Sequence, residues 1–166
     1  QTLEYTHHSG HVICEPTDVP VNKRHLDMLA THFRYGPKPL LGAITAEWGI
    51  PMLFVEGNAD LTPARIVGHH NPSRVLREDY SEDNFVPGPL VEAMRSGGFL
   101  YVEEFNRAPE DTLNTLLTAM AERRIAIPRV GTVTAAPTFR VIASMNPYDN
   151  VGTSRLSTSV HDRLCR

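Results

Sequence analysis

Hydrophobic residues fall along this chain in two rhythms. Unbroken apolar runs at PMLFV (51–55), FLYV (99–102) and FRVIAS (139–144) are rich in branched and aromatic residues and too short for helices, so they are predicted strands. KPLL (38–41) is a weaker fourth candidate. Between the runs, apolar positions recur every three or four residues. Asn22 can cap a helix with Leu26, Leu29, Ala30 and Phe33 on one face; Thr62-Pro63 is a helix start; Pro109 opens a helix carrying Leu113, Leu116, Leu117 and Met120. Apolar strands alternating with helices predict an α/β fold, a mainly parallel sheet sandwiched between helices, because parallel neighbours need crossover connections.

Two stretches depart from this frame. Residues 68–89 are polar and turn-rich, with the acidic run REDYSEDN, and predict a projecting insert. ERRIAIPRVGTVTAA, with Val130-Gly131-Thr132 at its middle, predicts a hairpin ahead of the last strand. A chain of 166 residues can bury one substantial core, so a single domain over 1–166 is expected. A net charge of −3 without a basic stripe argues against a general nucleic-acid binder. Cys14 and Cys165 have neither disulfide nor metal spacing. No signal-peptide order and no membrane-length apolar run occurs, so a soluble cytoplasmic protein is expected. His7, His8 and His11, like His69-His70, lack the companion ligands of a metal site, and HHSGH reads as a flexible polar segment. Ser159, His161 and Asp162 lack the elbow of a hydrolase.

In such sheets ligands sit beyond the carboxyl ends of the strands. Glu103 and Glu104 follow FLYV, and Met145, Asn146 and Pro147 follow FRVIAS. A carboxylate fixed at a strand end can bind a cation or act as a base, and Mg²⁺ usually takes one or two carboxylates with water and phosphate. Exposed acids opening a helix, where its positive end favours them, fit the pair as well. Taken by themselves, the two acids are better read as exposed acids of that second kind.

Their surroundings narrow the choice. FLYVEEFNR, a Pro-led helix with Leu-Leu-x-x-Met, a hairpin, FRVIASMNP and STSVHDRL follow one another in an order that resembles the MoxR family of AAA+ ATPases from about Trp48 onward. The resemblance implies an AAA+ P-loop core with a helix-2-type insert and a pre-sensor-1 hairpin. It implies that Glu104 is the catalytic Walker B acid, that Glu103 helps hold Mg²⁺, that Asn146 is the sensor 1 residue and that Arg163 is the arginine finger reaching a neighbour's nucleotide. The family usually has Asp where Glu103 stands. Arg107 fits either a subunit contact or a surface arginine at a helix start. ATP and Mg²⁺, a ring that is hexameric by resemblance, and a von Willebrand factor A partner are implied for a chaperone-like motor that remodels or matures a protein complex.

One part of that pattern is missing. G-x-x-x-x-G-K-[ST], whose amides cradle phosphates, does not occur, and the only lysines are Lys23 and Lys38. With KPLL as the first strand and GAITAEWGIP as the end of the first helix, the joint at Leu41-Gly42 is too short for a parallel crossover of about ten or more residues. An incomplete domain is therefore expected, without a phosphate loop near 41/42 and without a C-terminal lid. The alternative function is a nucleotide-independent scaffold that keeps the fold.

Overall fold

The structure is a computed structural model that describes residues 4–7, 10–14, 37–78 and 82–145. Its frame is a five-stranded sheet in the order β1-β2-β9-β6-β3, where β1 is Glu4–His7, β2 Gly10–Cys14, β3 Met52–Glu56, β6 Phe99–Glu103 and β9 Arg140–Met145. Strands β3, β6 and β9 are parallel neighbours, with Met52 beside Phe99 and Phe99 beside Arg140. These are the three apolar runs of the sequence. The other two strands form an antiparallel hairpin on β9, with His11 opposite Met145 and Cys14 opposite Ile142. Residues 4–7 and 10–14 are thus paired strands, which corrects the expectation of a flexible segment around HHSGH.

Alternation along the parallel strands sends side chains to two unlike faces. Leu100, Val102, Val141 and Ala143 join a large core with Ile66 of helix α2 (Pro63–Val67), Leu90, Val91 and Met94 of α4 (Pro89–Ser96), and Leu113, Leu116 and Leu117 of α5 (Glu110–Glu122). Phe99, Tyr101 and Ile142 point the other way and meet Leu41, Trp48, Ile50 and Met52. Leu41 and Trp48 belong to helix α1 (Pro37–Trp48). The helix starts expected at Thr62-Pro63 and Pro109 are both observed: Thr62 caps α2 by accepting from the Arg65 amide, and α5 begins just after Pro109. The helix expected after Asn22 lies outside the described residues.

KPLL is helical, a correction to its reading as a strand. Pro37 and Pro39 are tolerated because the first turn of a helix has no intrahelical use for their missing N–H groups. The helix runs unbroken through Leu41 and Gly42, where the Thr45 hydroxyl donates back to the Leu41 carbonyl at 2.8 Å. A gap at 41/42 was expected because a strand was expected there, and that premise does not hold. Trp48 rests edge-on against Phe99, ring centroids 6.4 Å apart, while the Lys38 ammonium lies 3.1 Å from the centre of the Phe54 ring. The amino end of α1 therefore faces the carboxyl end of the sheet.

The 68–89 insert folds as β4 (Gly68–His70), α3 (Pro72–Glu78), a short 3-10 turn (Glu82–Asn84) and β5 (Phe85–Pro87), with β4 and β5 antiparallel. The expected hairpin is β7 (Arg124–Ile127) with β8 (Gly131–Thr134), and its turn comes just before Gly131 rather than around it. Among the described residues no helix is long and apolar enough to cross a membrane.

Candidate active site

Strand β6 ends in an abrupt turn. Glu103 is its last residue, and Glu104 adopts left-handed backbone angles, φ 51° and ψ 43°, which cost a non-glycine residue about 1 kcal/mol or more. A 3-10 turn, Phe105–Arg107, follows at once. Phe105 and Ala108 are sunk in the core and hold the turn down, and Asn106 is buried with them. The anchoring explains how the strained residue persists: the apolar flanks over-determine its position.

A glycine just after the neighbouring strand makes room for this turn. The Gly57 amide, just past β3, donates to the Glu103 carbonyl at 2.7 Å, and a Cβ on Gly57 would collide with the Glu104 carbonyl oxygen and come within 2.9 Å of its carbon. Gly57 carries no chemistry of its own, and reading the sequence for reactive side chains misses it. Its only signal is a glycine two residues after a predicted strand.

The two acids have different surroundings. Glu103 and Glu56 are neighbours across the β3–β6 ladder. The Glu103 carboxylate has no ion pair or hydrogen bond among the described residues. Glu104 is engaged: its Oε2 lies 3.1 Å from Nε of Arg107, and the Arg107 amide donates to the Glu104 carbonyl at 2.8 Å. On the α1 side of the sheet the Tyr101 and Ser144 hydroxyls are 2.8 Å apart and bridge β6 to β9. Burial raises the Tyr101 pKa above its ordinary value; the Ser144 hydrogen bond opposes this, and the charges of Glu103 and Glu104 add to the rise.

Strand β9 carries the chain to the same edge, since Val102 pairs with Ala143 and Met145 lies two residues farther on. Asn146 follows directly but falls outside the described residues, as does Arg163. Of the sequence-predicted site residues, Glu103 and Glu104 therefore lie among the described residues and the other two do not. No group of three or more His, Cys, Asp or Glu side chains gathers among the described residues. Mg²⁺ needs no such group when phosphate and water complete its shell, and the uncommitted Glu103 carboxylate fits that use.

Comparisons agree with the fold and divide the chain. A family described as AAA domain (dynein-related subfamily) matches residues 39–164, and one described as Trimethylamine methyltransferase (MTTB) matches residues 1–50. An uncharacterized protein of Staphylococcus epidermidis is 32% identical over 131 residues, 78% of this chain and 49% of its own length. One of Staphylococcus aureus is 35% identical over 116 residues, 69% of this chain and 43% of its own. The chain thus spans about half the length of the curated relatives it matches. Among solved structures, a Cytophaga hutchinsonii protein named as a "putative ATPase" superposes with a TM-score of 0.57 at 25% identity, covering 78% of this chain and 37% of that one. NtrX of Brucella abortus shares the fold, with a TM-score of 0.53 at 19% identity over 87% of this chain and 34% of its own. With the family match covering well over half of its residues, the chain belongs to the dynein-related AAA domain family.

Proposed function

We propose that this chain is the acid-bearing part of a Mg²⁺-dependent ATP hydrolase of the MoxR type, a ring-forming chaperone-like motor that remodels or matures a protein complex. The observation that carries the reading is the turn at Glu104, a strained residue held at the carboxyl end of a buried strand beside a second, uncommitted carboxylate. Glu104 would accept a proton from water as the water oxygen bonds to the γ-phosphorus; the bond from that phosphorus to the β,γ-bridging oxygen breaks, and ADP and inorganic phosphate leave. Mg²⁺, for which Glu103 is the candidate ligand, would supply neutralising charge on the phosphate oxygens. Asn146 would hold the same water. Arg163 would reach the nucleotide of the next subunit, which is why a ring, hexameric in this reading, is needed.

Glu104→Gln tests it. Loss of the base should reduce ATP turnover at least about 100-fold while fluorescent mant-ATP still binds, because only the step that moves the proton is affected. Unchanged turnover would remove Glu104 from the mechanism. A von Willebrand factor A protein as partner can be tested by co-purification with the full-length relatives.

A scaffold that does not use nucleotide is the second reading, and two observations favour it. The sequence has no phosphate-loop motif, and β2, which occupies the place beside β9, runs antiparallel, so its last residue, Cys14, lies toward the edge opposite Glu103. If this reading holds, mant-ATP will give no saturable signal with Mg²⁺ present.

A further inference from the structure

We infer that Arg107 is a positioning residue for Glu104, fixing which carboxylate oxygen meets the reacting water. The inference rests on the reading of Glu104 as the base. Arg107 holds Glu104 at two points, through its amide on the Glu104 carbonyl at 2.8 Å and through Nε at 3.1 Å from Oε2. Oε2 is shut away from solvent, yet the guanidinium is off the line of a hydrogen bond to it, so the contact is mainly one of charge.

Such a pair adds little to stability, because both side chains keep about a third or more of their exposure (43% for Arg107, 32% for Glu104) and surface pairs contribute roughly 0–1 kcal/mol. Its effect is on direction. A glutamate has three side-chain torsions, and at a left-handed residue the strand no longer dictates where they point. Drawing Oε2 inward toward Arg107 leaves Oε1 as the oxygen free to accept from water. The 3-10 turn gives this tether a short reach, since its first residue, Phe105, and the residue after it, Ala108, are each 1% exposed and cannot shift without opening the core. A subunit-contact role for Arg107 would need none of this geometry.

The test uses the full chain under assembly conditions. Arg107→Ala should lower kcat about 10-fold with KM for ATP within about twofold, as expected when orientation is lost and binding is not. Ethylguanidinium added to Arg107→Ala should restore a measurable part of kcat. In a Glu104→Gln background Arg107→Ala should cost nothing further, because a residue that acts through another has no effect once that one is gone. Native mass spectrometry should show the same oligomer for wild type and Arg107→Ala. Turnover lost in Glu104→Gln but unchanged in Arg107→Ala overturns the inference alone, as does an Arg107→Ala loss that persists in the Glu104→Gln background. Turnover absent from the wild type, or insensitive to Glu104→Gln, overturns the underlying reading and the inference with it.

Discussion

Among the described residues, the two faces of the central sheet are covered very differently. Against one, α2, α4 and α5 press Ile66, Leu90, Val91, Met94, Leu116 and Leu117, all fully buried. Against the other, a single described helix, α1, covers Phe99, Tyr101 and Ile142 with partly buried side chains, and Phe54 on that side keeps 40% of its exposure. The thick face lies wholly within the AAA match, whereas α1 lies where the AAA and methyltransferase matches overlap or meet. In the proposed reading, the acidic half of the nucleotide site thus rests on a deep core of the chain's own family. The half that would hold phosphates is where the sequence departs from the motif. Depth of packing explains why the acids can be held in a strained turn, and among the described residues the α1 side has no comparable support.

The sharpest way to break this contrast is to remove equal amounts of side chain from each face. Leu100→Ala, on the thick face, should destabilise by about 2–5 kcal/mol, since a fully buried leucine loses both transfer energy and cavity contacts. Ile44→Ala, on α1 and 7% exposed, should cost about 1–2 kcal/mol because a thinly covered site can collapse or admit water. Urea unfolding of both variants measures the difference. Equal losses would mean that α1 seals its face as firmly as the three helices seal theirs.

Next in size is Gly57→Ala. The added methyl would meet backbone at Glu104 rather than a yielding side chain, so the loop after β3 or the turn itself must move. Overpacking of this kind costs about 1–3 kcal/mol. The consequence for function should exceed the consequence for stability: if Glu104 acts as base, turnover should fall about 10-fold or more from a displacement of even one ångström. Thermal unfolding and ATP turnover, measured together, separate the two effects. A variant as active as wild type would show that the close approach of Gly57 is not needed to place Glu104.

How much of this was legible beforehand follows the same division. Strands β6 and β9 could be read because each is buried on both faces and so carries an unbroken apolar run, and β3, only partly buried at the end of the described sheet, carries a run of the same kind. Glu103 and Glu104 could be read because they end one of those runs. KPLL misled because four residues do not fix a period; the helical signal lay in the longer spacing Leu41, Ile44, Trp48, which spans the turns of α1. The place of the β1–β2 hairpin on β9 depends on partners more than 125 residues away in sequence, such as His11 with Met145, which no local pattern records. Gly57 is similar: its need for hydrogen in place of a side chain is set by Glu104, in the turn after another strand. Arg107 was visible as a residue, but its pairing with Glu104 depends on the left-handed turn between them.

Tyr101 offers the smallest effect and the finest probe, because it lies on the thin face yet close to the acids. Tyr101→Phe removes the hydroxyl that meets Ser144 at 2.8 Å and should cost about 1 kcal/mol, the usual worth of one such bond with its partner left behind. Its dependence on pH is more telling. Burial first, then the charges of Glu103 and Glu104, hold the Tyr101 pKa above its ordinary value despite the opposing Ser144 bond. A group whose folded pKa lies above its unfolded one stabilises the fold fully below the unfolded value, near pH 10, and that contribution is lost as pH rises through the folded value. The wild type should therefore lose stability above about pH 10, and Tyr101→Phe should lose less over the same range. Urea midpoints at pH 8 and at mildly alkaline to pH 11 conditions measure this. Identical slopes for the two proteins would mean that the α1 face admits enough water to leave Tyr101 titrating as it does in the unfolded chain, and the cover on that face would then be thinner still than its geometry indicates.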